Sequence, residues 1–90
     1  MSWAYLNNAF HRKEEVTISP YDRGFLFGDG VYEVIPSYAG KPFLYEKHVS
    51  RLLRSLNEVS INKPEQWENL KSIIEDLLEK NKFSNQIIYI

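Results

Sequence analysis

A chain of 90 residues has the size of one domain, so we expect a single folded unit over residues 1–90. Its residues are 43% hydrophobic and 26% charged, a globular composition that excludes a disordered or collagen-like chain. A formal net charge of -1 gives no long-range field toward nucleic acid, and the absence of cysteine excludes a disulfide framework and a thiolate metal site.

The first predicted element is a tight β-hairpin over residues 3–10. Asn7 and Asn8 tolerate left-handed backbone, and the residues on either side of them are mostly apolar. Residues 15–19 alternate polar and apolar side chains and then meet Pro20, which cannot donate to a strand ladder. We therefore expect a short edge strand there, paired with the hairpin.

A glycine-rich loop and a second hairpin are predicted next. Residues 21–30 carry three glycines and three large apolar side chains without a clean period, so we expect an ordered, buried loop. Residues 31–38 alternate, Ala39 and Gly40 suit a turn, and residues 42–45 return with both faces partly apolar. The loop is therefore expected to lead directly into a strand.

Two amphipathic helices follow in the sequence. Residues 46–59 repeat apolar side chains at helical spacing, which predicts one stripe that faces a core: Val49, Leu52, Leu53, Leu56 and Val59. A second helix is predicted to open at Pro64, a favourable first helical position, and to run to about Asn81. Its apolar face carries Trp67, Leu70, Ile74, Leu77 and Leu78.

The last segment and the order of elements predict the fold class. Residues 87–90 are apolar or aromatic and predict a further strand, in which the chain ends. Domain boundaries normally fall in exposed linkers, so this ending predicts a domain cut from a longer protein. Hairpins followed by helices predict an α+β domain, an antiparallel sheet with two amphipathic helices packed on one face.

The glycine-rich segment does not match the known nucleotide-binding loops. A dinucleotide fingerprint needs a third glycine after Gly28 and Gly30, and Glu33 stands at that position. No Gly-Lys-Ser or Gly-Lys-Thr follows, which excludes a P-loop. Together with Asp22 and Asp29, Glu33 forms no recognisable acid–base pair, so structural salt bridges are expected of these three acids.

A polar row on the first predicted helix could bind an anion. Arg51 lies off the apolar stripe, one turn from His48 and one turn from Ser55. Arg and His donors in one row can hold a phosphate, and a solvated helix face has the same pattern. Tyr32 follows the glycine-rich loop and could either donate to a carboxylate or be a core tyrosine. The residues alone leave these alternatives open.

Residues 22–34 resemble the signature stretch of the class IV (fold type IV) pyridoxal-phosphate aminotransferases, especially the D-amino acid type. They read Asp-Arg-Gly-Phe-Leu-Phe-Gly-Asp-Gly-Val-Tyr-Glu-Val. Residues 38–43 are similar to the hairpin of this family, and residues 48–52 to its helix-borne motif. Residues 5–8 are similar to its first hairpin, so the resemblance covers essentially the whole chain.

This resemblance implies the N-terminal small domain of an enzyme that uses pyridoxal 5'-phosphate to move an amino group from an amino acid to a 2-oxo acid. It implies that Arg51 binds the cofactor phosphate with His48 as its orienting neighbour, and that Tyr32 and Val34 bind substrate. The catalytic lysine would lie beyond residue 90. We therefore expect no catalytic residue and no metal site in this chain, and no activity from the chain alone.

The same resemblance implies a homodimer with small-molecule substrates of the D-amino acid or branched-chain type. The start of the chain lacks a basic region followed by an apolar stretch, so a cytoplasmic protein without a membrane partner is expected. Pro36 stands where the family often has a basic or polar residue, which predicts a different rim of the substrate pocket.

Three other functions stay open at this point. An aminodeoxychorismate lyase would share the fold, although such lyases more often carry Leu-Phe where Val31 and Tyr32 stand. A non-catalytic, self-associating domain would be marked by exposed apolar surface. A module that binds anions through Arg51 and His48 alone would contact one side of a phosphate, with a Kd of roughly millimolar.

Overall fold

The computed structural model describes residues 2–90, and these form an α+β fold, as predicted. Two strands come first, then a short helix, and then three strands interleaved with two longer helices. The strands are β1 (Trp3–Leu6), β2 (Ala9–Arg12), β3 (Val34–Tyr38), β4 (Lys41–Pro42) and β5 (Asn85–Tyr89); the helices are α1 (Arg23–Phe27), α2 (Tyr45–Glu58) and α3 (Leu70–Asn81).

The predicted first hairpin is confirmed. Strands β1 and β2 pair antiparallel with Leu6 opposite Ala9. Asn7 and Asn8, which form the turn, have φ values of 50° and 68°, the left-handed backbone that a two-residue hairpin turn of this type needs. The turn residues therefore set the register of this pair of strands.

The segment after the hairpin differs from the predicted edge strand over residues 15–19. Lys13–Glu15 form one turn of 3-10 helix, in which Val16 N donates to Lys13 O at 3.4 Å. The stretch after Val16 has no strand partner among residues 2–90. Alternation predicted a strand, but the turn carries the chain away from the hairpin before a third strand could pair with it.

The glycine-rich segment over residues 21–30 contains a helix instead of the predicted loop. The Asp22 carboxylate accepts from Gly24 N at 2.8 Å and caps the first turn of α1. Gly28 ends the helix in the left-handed conformation, with φ at 69°, which costs glycine little. A local cap and a local stop therefore give five residues of helix.

The prediction that this segment is buried is also wrong. Phe25 and Phe27 are 67% and 65% exposed, and Leu26 between them is exposed as well. The Arg23 guanidinium lies 4.5 Å from the centre of the Phe27 ring and pairs with Asp29 at 2.6 Å. These contacts order the segment without covering it, so α1 presents an exposed apolar patch of Phe25, Leu26 and Phe27.

The central sheet has the order β4-β3-β5, with both pairs antiparallel. The strand predicted over residues 31–38 begins at Val34, and one further pair of hydrogen bonds joins Glu33 and Ile90, each 2.9 Å long. The predicted return strand over residues 42–45 is shorter, because the chain turns into α2 at Leu44, where φ is 55°.

Alternation along β3 separates two faces of this sheet. Ile35 and Ser37 are buried on the inner face, and Glu33, one step before the strand, is buried with them. Tyr32, Val34 and Tyr38 are exposed on the opposite side, which we call the outer face. One strand thus contributes to both the core and an open apolar surface.

The two longer helices cover the inner face. Helix α2 matches the prediction over residues 46–59 to within one residue at each end, although Val59 lies outside the helix and is exposed. Helix α3 begins at Leu70, well after the predicted start at Pro64, because a 3-10 turn comes first. The buried apolar core consists of Ile35, Leu52, Leu56, Ile74 and Leu78.

Candidate functional site

A buried carboxylate lies at the start of the central strand. Glu33 is 4% exposed, and its backbone N–H and C=O both bond to Ile90. Removing a carboxylate from water is costly unless donors replace the lost water. Two side chains of α2 replace it here, and they are the His48 and Arg51 that the sequence placed in one polar row.

Arg51 holds Glu33 with two donors. Its Nε donates to Oε2 at 2.8 Å, and its Nη2 donates to Oε1. His48 Nδ1 lies 2.7 Å from the same Oε1. An ionised carboxylate can only accept, so Nδ1 carries the hydrogen in this pair. Three donors thus converge on one buried carboxylate, in the forked geometry that arginine favours.

Helical spacing explains why these two donors meet the same partner. His48 and Arg51 are three residues apart on α2, so they lie on one side of the helix, and that side faces β3. Ser55, the third member of the predicted row, donates no hydrogen bond to Glu33. The structure therefore brings two of the three predicted side chains together, and it joins them through Glu33.

The contacts change the acidity of both partners. Hydrogen bonds from Arg51 lower the pKa of Glu33 from 4.5 to about 2; burial opposes this shift, and His48 assists it. In return, Glu33 raises the pKa of the Arg51 guanidinium, and Tyr32 adds a smaller effect in the same direction.

The low pKa of Glu33 predicts a defined acid sensitivity. Because the folded pKa of about 2 lies below the unfolded value of 4.5, the ionised carboxylate stabilises the fold fully above pH 4.5. This contribution is lost as the pH falls from 4.5 to 2. We expect the difference in unfolding free energy between the wild type and Glu33→Gln to shrink over that window.

Chemical denaturation of the 90-residue chain at several pH values measures this difference. Glu58→Gln is the matched control, because Glu58 is an exposed acid whose contact with Arg54 is 3.9 Å long. Its difference from the wild type should stay small throughout. A Glu33→Gln difference that does not depend on pH would contradict the ion pair.

The outer face adjoins this cluster. Tyr32 precedes β3 and stacks on Tyr89, with ring centres 5.9 Å apart and ring planes 10° apart. Val34 lies next to this pair, and Pro36 lies opposite Ile87 across the ladder. The central part of the outer face is therefore an apolar and aromatic surface without charged side chains.

Glu33 links the predicted cofactor residues to the predicted substrate residues. Glu33 lies between Tyr32 and Val34 in the chain but faces α2, whereas its two neighbours lie on the outer face. The Arg51 guanidinium is thus bound to the residue that stands between Tyr32 and Val34 in the chain. The structure places all four predicted side chains around the start of β3.

Arg51 has donors to spare for an anion. Its side chain is 57% exposed, and the contacts with Glu33 use two of its five N–H groups. The remaining donors are those that a phosphate group could bind. A metal centre is not indicated, since residues 2–90 contain no group of three or more His, Asp or Glu side chains that could hold an ion.

Glu33 was not predicted to be a member of this site. A structural salt bridge was expected of this acid, but Arg51 was not identified as its partner. The sequence did indicate that Glu33 faces inward, because Glu33, Ile35 and Ser37 occupy alternate positions and therefore lie on the same face of the strand. An acid on a buried strand face needs a cationic partner, and Arg51 on the facing helix supplies it.

Several known proteins resemble this chain in sequence. The model of the family described as amino-transferase class IV matches residues 30–90. A D-alanine aminotransferase of Staphylococcus epidermidis is 38% identical over 90 residues, which are 100% of this chain and 32% of that protein. One of Listeria monocytogenes is 36% identical over 85 residues, 94% of this chain and 29% of that protein. The chain thus spans about a third of these relatives.

A solved structure shares the fold. The crystal structure of a branched-chain aminotransferase from the archaeon Thermoproteus uzoniensis, with norvaline, superimposes with a TM-score of 0.82. The match covers 98% of this chain and 31% of that chain, at 24% sequence identity. At this identity the match establishes the architecture, and the residues of the site have to be argued from their own geometry.

Proposed function

Because the chain belongs to the class IV aminotransferase family, we propose that the complete protein is a pyridoxal-phosphate-dependent aminotransferase. By complete protein we mean the whole product of the gene that encodes these residues. In it, this domain binds the cofactor phosphate through Arg51 and forms one wall of the substrate pocket with Tyr32 and Val34. The observation that carries the proposal is the exposed guanidinium of Arg51, held by buried Glu33, the residue that stands between Tyr32 and Val34 in the chain.

The donor set fits a phosphate group. A guanidinium is planar and always charged, and it binds phosphate oxygens through parallel N–H groups. Arg51 is already oriented by Glu33, so its remaining N–H groups point in a fixed direction. His48 supports this arrangement from the other side of Glu33, and it therefore belongs to the cofactor site as a neighbour rather than as a direct phosphate ligand.

Tyr32 and Val34 have separate roles in the proposed substrate pocket. Bound pyridoxal phosphate supplies the electron sink that amino-group transfer needs. The Tyr32 phenol is exposed and belongs to the residue next to Glu33, so it can donate a hydrogen bond to a substrate carboxylate. Val34 limits the room beside it, and the apolar outer face keeps water from the reacting groups once a substrate covers it.

The proposed substrates are an amino acid and a 2-oxo acid. Relatives named D-alanine aminotransferase and a solved structure named branched-chain aminotransferase make the D-amino acid and branched-chain types the two candidates. We also propose a homodimer in the cytoplasm. The exposed apolar patch on α1 supports the dimer, because a surface of this kind is typical of protein interfaces.

An amino-transfer assay of the complete protein tests the proposal. We expect D-alanine or L-leucine to donate its amino group to a 2-oxo acid, at a rate that depends on added pyridoxal phosphate. The 90-residue chain is the matched control and should transfer nothing. If neither D-alanine nor L-leucine donates its amino group, the proposal is contradicted. Release of pyruvate from aminodeoxychorismate would instead identify a lyase.

A further inference from the structure

Arg51 differs from the other arginine on the same face of α2. Arg54 lies one turn further on, and its partner Glu58 is itself exposed, at a distance of 3.9 Å. Such a pair leaves the side chain free to change rotamer. The Arg51 side chain is also exposed, at 57% against 69% for Arg54, but its Nε and Nη2 are held by a buried carboxylate. Its guanidinium is therefore fixed before any ligand arrives.

Glu33, which holds Arg51, is itself held in place by the sheet and by His48. Both backbone hydrogen-bonding groups of Glu33 pair with Ile90, at 2.9 Å each. Its Oε1 is also held by His48 Nδ1 at 2.7 Å. The carboxylate therefore cannot follow the guanidinium if the long arginine side chain moves. The backbone at the start of the central strand thus sets the direction of the Arg51 side chain.

We propose that Glu33 is the positioning residue of the cofactor site: it holds the Nε and Nη2 edge of Arg51 and thereby turns the Nη1 edge toward the phosphate of pyridoxal phosphate. This inference rests on the proposed function. Preorganisation raises affinity because the ligand does not have to restrict a mobile side chain on binding. At metal sites, removal of a residue that orients a metal-binding side chain typically lowers affinity about 10- to 100-fold, and we expect an effect of similar order here.

A role as a negative charge and a role as a positioning residue predict opposite changes in phosphate affinity when Glu33 is replaced. If the carboxylate acted only as a negative charge, its removal would strengthen phosphate binding, because Glu33 and the phosphate are both anions and share one arginine. If it positions Arg51, its removal weakens phosphate binding. The sign of one measured change therefore separates the two roles.

The experiment compares two ligands in the complete protein. Equilibrium dialysis gives one Kd for pyridoxal phosphate and one for pyridoxal. These two aldehydes differ only in the phosphate group. For Glu33→Gln we expect a Kd for pyridoxal phosphate about tenfold higher than in the wild type. The Kd for pyridoxal should stay unchanged. Glu58→Gln, the exposed acid on the same helix, is the control and should change neither value.

Three results would overturn the inference. Tighter binding of pyridoxal phosphate by Glu33→Gln would show a competing charge, and an unchanged Kd would show that Arg51 needs no support. Equal weakening for both ligands would show a general loss of structure. If Arg51→Lys also leaves the preference for the phosphorylated ligand unchanged, the proposed phosphate site itself is wrong, and this outcome separates the two failures.

A second variant covers the case in which Glu33→Gln does not fold. Glu33→Asp keeps the charge beside Arg51 and His48 but is one methylene shorter, so it cannot reach both guanidinium donors from the same backbone position. We expect a Kd for pyridoxal phosphate between those of the wild type and Glu33→Gln, with pyridoxal binding unchanged. A wild-type Kd for pyridoxal phosphate in Glu33→Asp would contradict the positioning role.

Discussion

Replacing Arg51 by alanine is expected to weaken the binding of pyridoxal phosphate to the complete protein about 100-fold. Charge-assisted hydrogen bonds contribute roughly 1.5–3 kcal/mol each, and about 1.4 kcal/mol corresponds to a tenfold change in Kd. Arg51 offers exposed donors that Glu33 does not use, so its loss removes at least one strong bond to the phosphate. Fluorescence titration of the apoprotein with the cofactor measures the effect.

Two further variants make this result interpretable. Arg54→Ala removes the same type of side chain one turn along α2, whose ion pair with Glu58 is 3.9 Å long, and should leave the Kd within about twofold. Alanine at position 51 also leaves the buried Glu33 carboxylate with fewer donors, which destabilises the fold. Arg51→Lys keeps a charge there but loses the fork, so it should still bind weakly. Cofactor binding that survives both changes at position 51 would contradict the phosphate site.

The largest expected effect on stability comes from Ile74→Ala. Ile74 on α3 is 2% exposed and lies in the core with Leu52 and Leu78. Truncation of a buried isoleucine to alanine costs about 2–5 kcal/mol, because the lost burial adds to the cost of the cavity. Domains of this size are stable by roughly 5–13 kcal/mol, at about 0.05–0.15 kcal/mol per residue. Urea denaturation of the chain should therefore show a much lower midpoint.

Ile18→Ala is the matched control for this change. It deletes the same atoms from a side chain that is 53% exposed and lies outside the regular elements. We expect a loss within about 0.5 kcal/mol, as for most surface substitutions. Equal losses for the two variants would show that α3 does not pack on the core as described here.

Elements decided by neighbouring residues could be predicted from the sequence. The turn at Asn7 and Asn8 needs left-handed backbone, and both residues adopt it easily, so the first hairpin was correct. Helix α2 was correct to within a residue at each end because its apolar stripe is regular and ends with Leu56 in the core. In both cases the local pattern and the tertiary packing favour the same structure.

Elements that depend on a distant partner were predicted less well. Alternation over residues 15–19 resembled a strand, but no other strand is placed to pair with it among residues 2–90. The apolar side chains of α1 resembled a buried loop, yet they are exposed in this chain. The start of α3 was missed because tighter turns precede it, closed by backbone bonds from Trp67 N to Pro64 O at 3.1 Å and from Asn69 N to Gln66 O at 2.9 Å.

The candidate site falls between these two cases. Arg51 and His48 could be placed on one helix face from their spacing alone, and Tyr32 from its position after the glycine-rich segment. Glu33 could not be assigned to them, because the pairing of α2 with β3 joins residues 18 positions apart in the chain. Its burial is a property of the packed fold, although the alternation with Ile35 already indicated the inward direction.

A crystal structure of the complete protein with pyridoxal phosphate would show directly whether Arg51 binds the phosphate. We expect the phosphate to lie within about 3 Å of Arg51. We also expect Glu33 still to hold the Nε edge, and Tyr32 and Val34 to line the space beside the cofactor ring. A phosphate bound by other residues, with Arg51 turned away from it, would contradict the site described here.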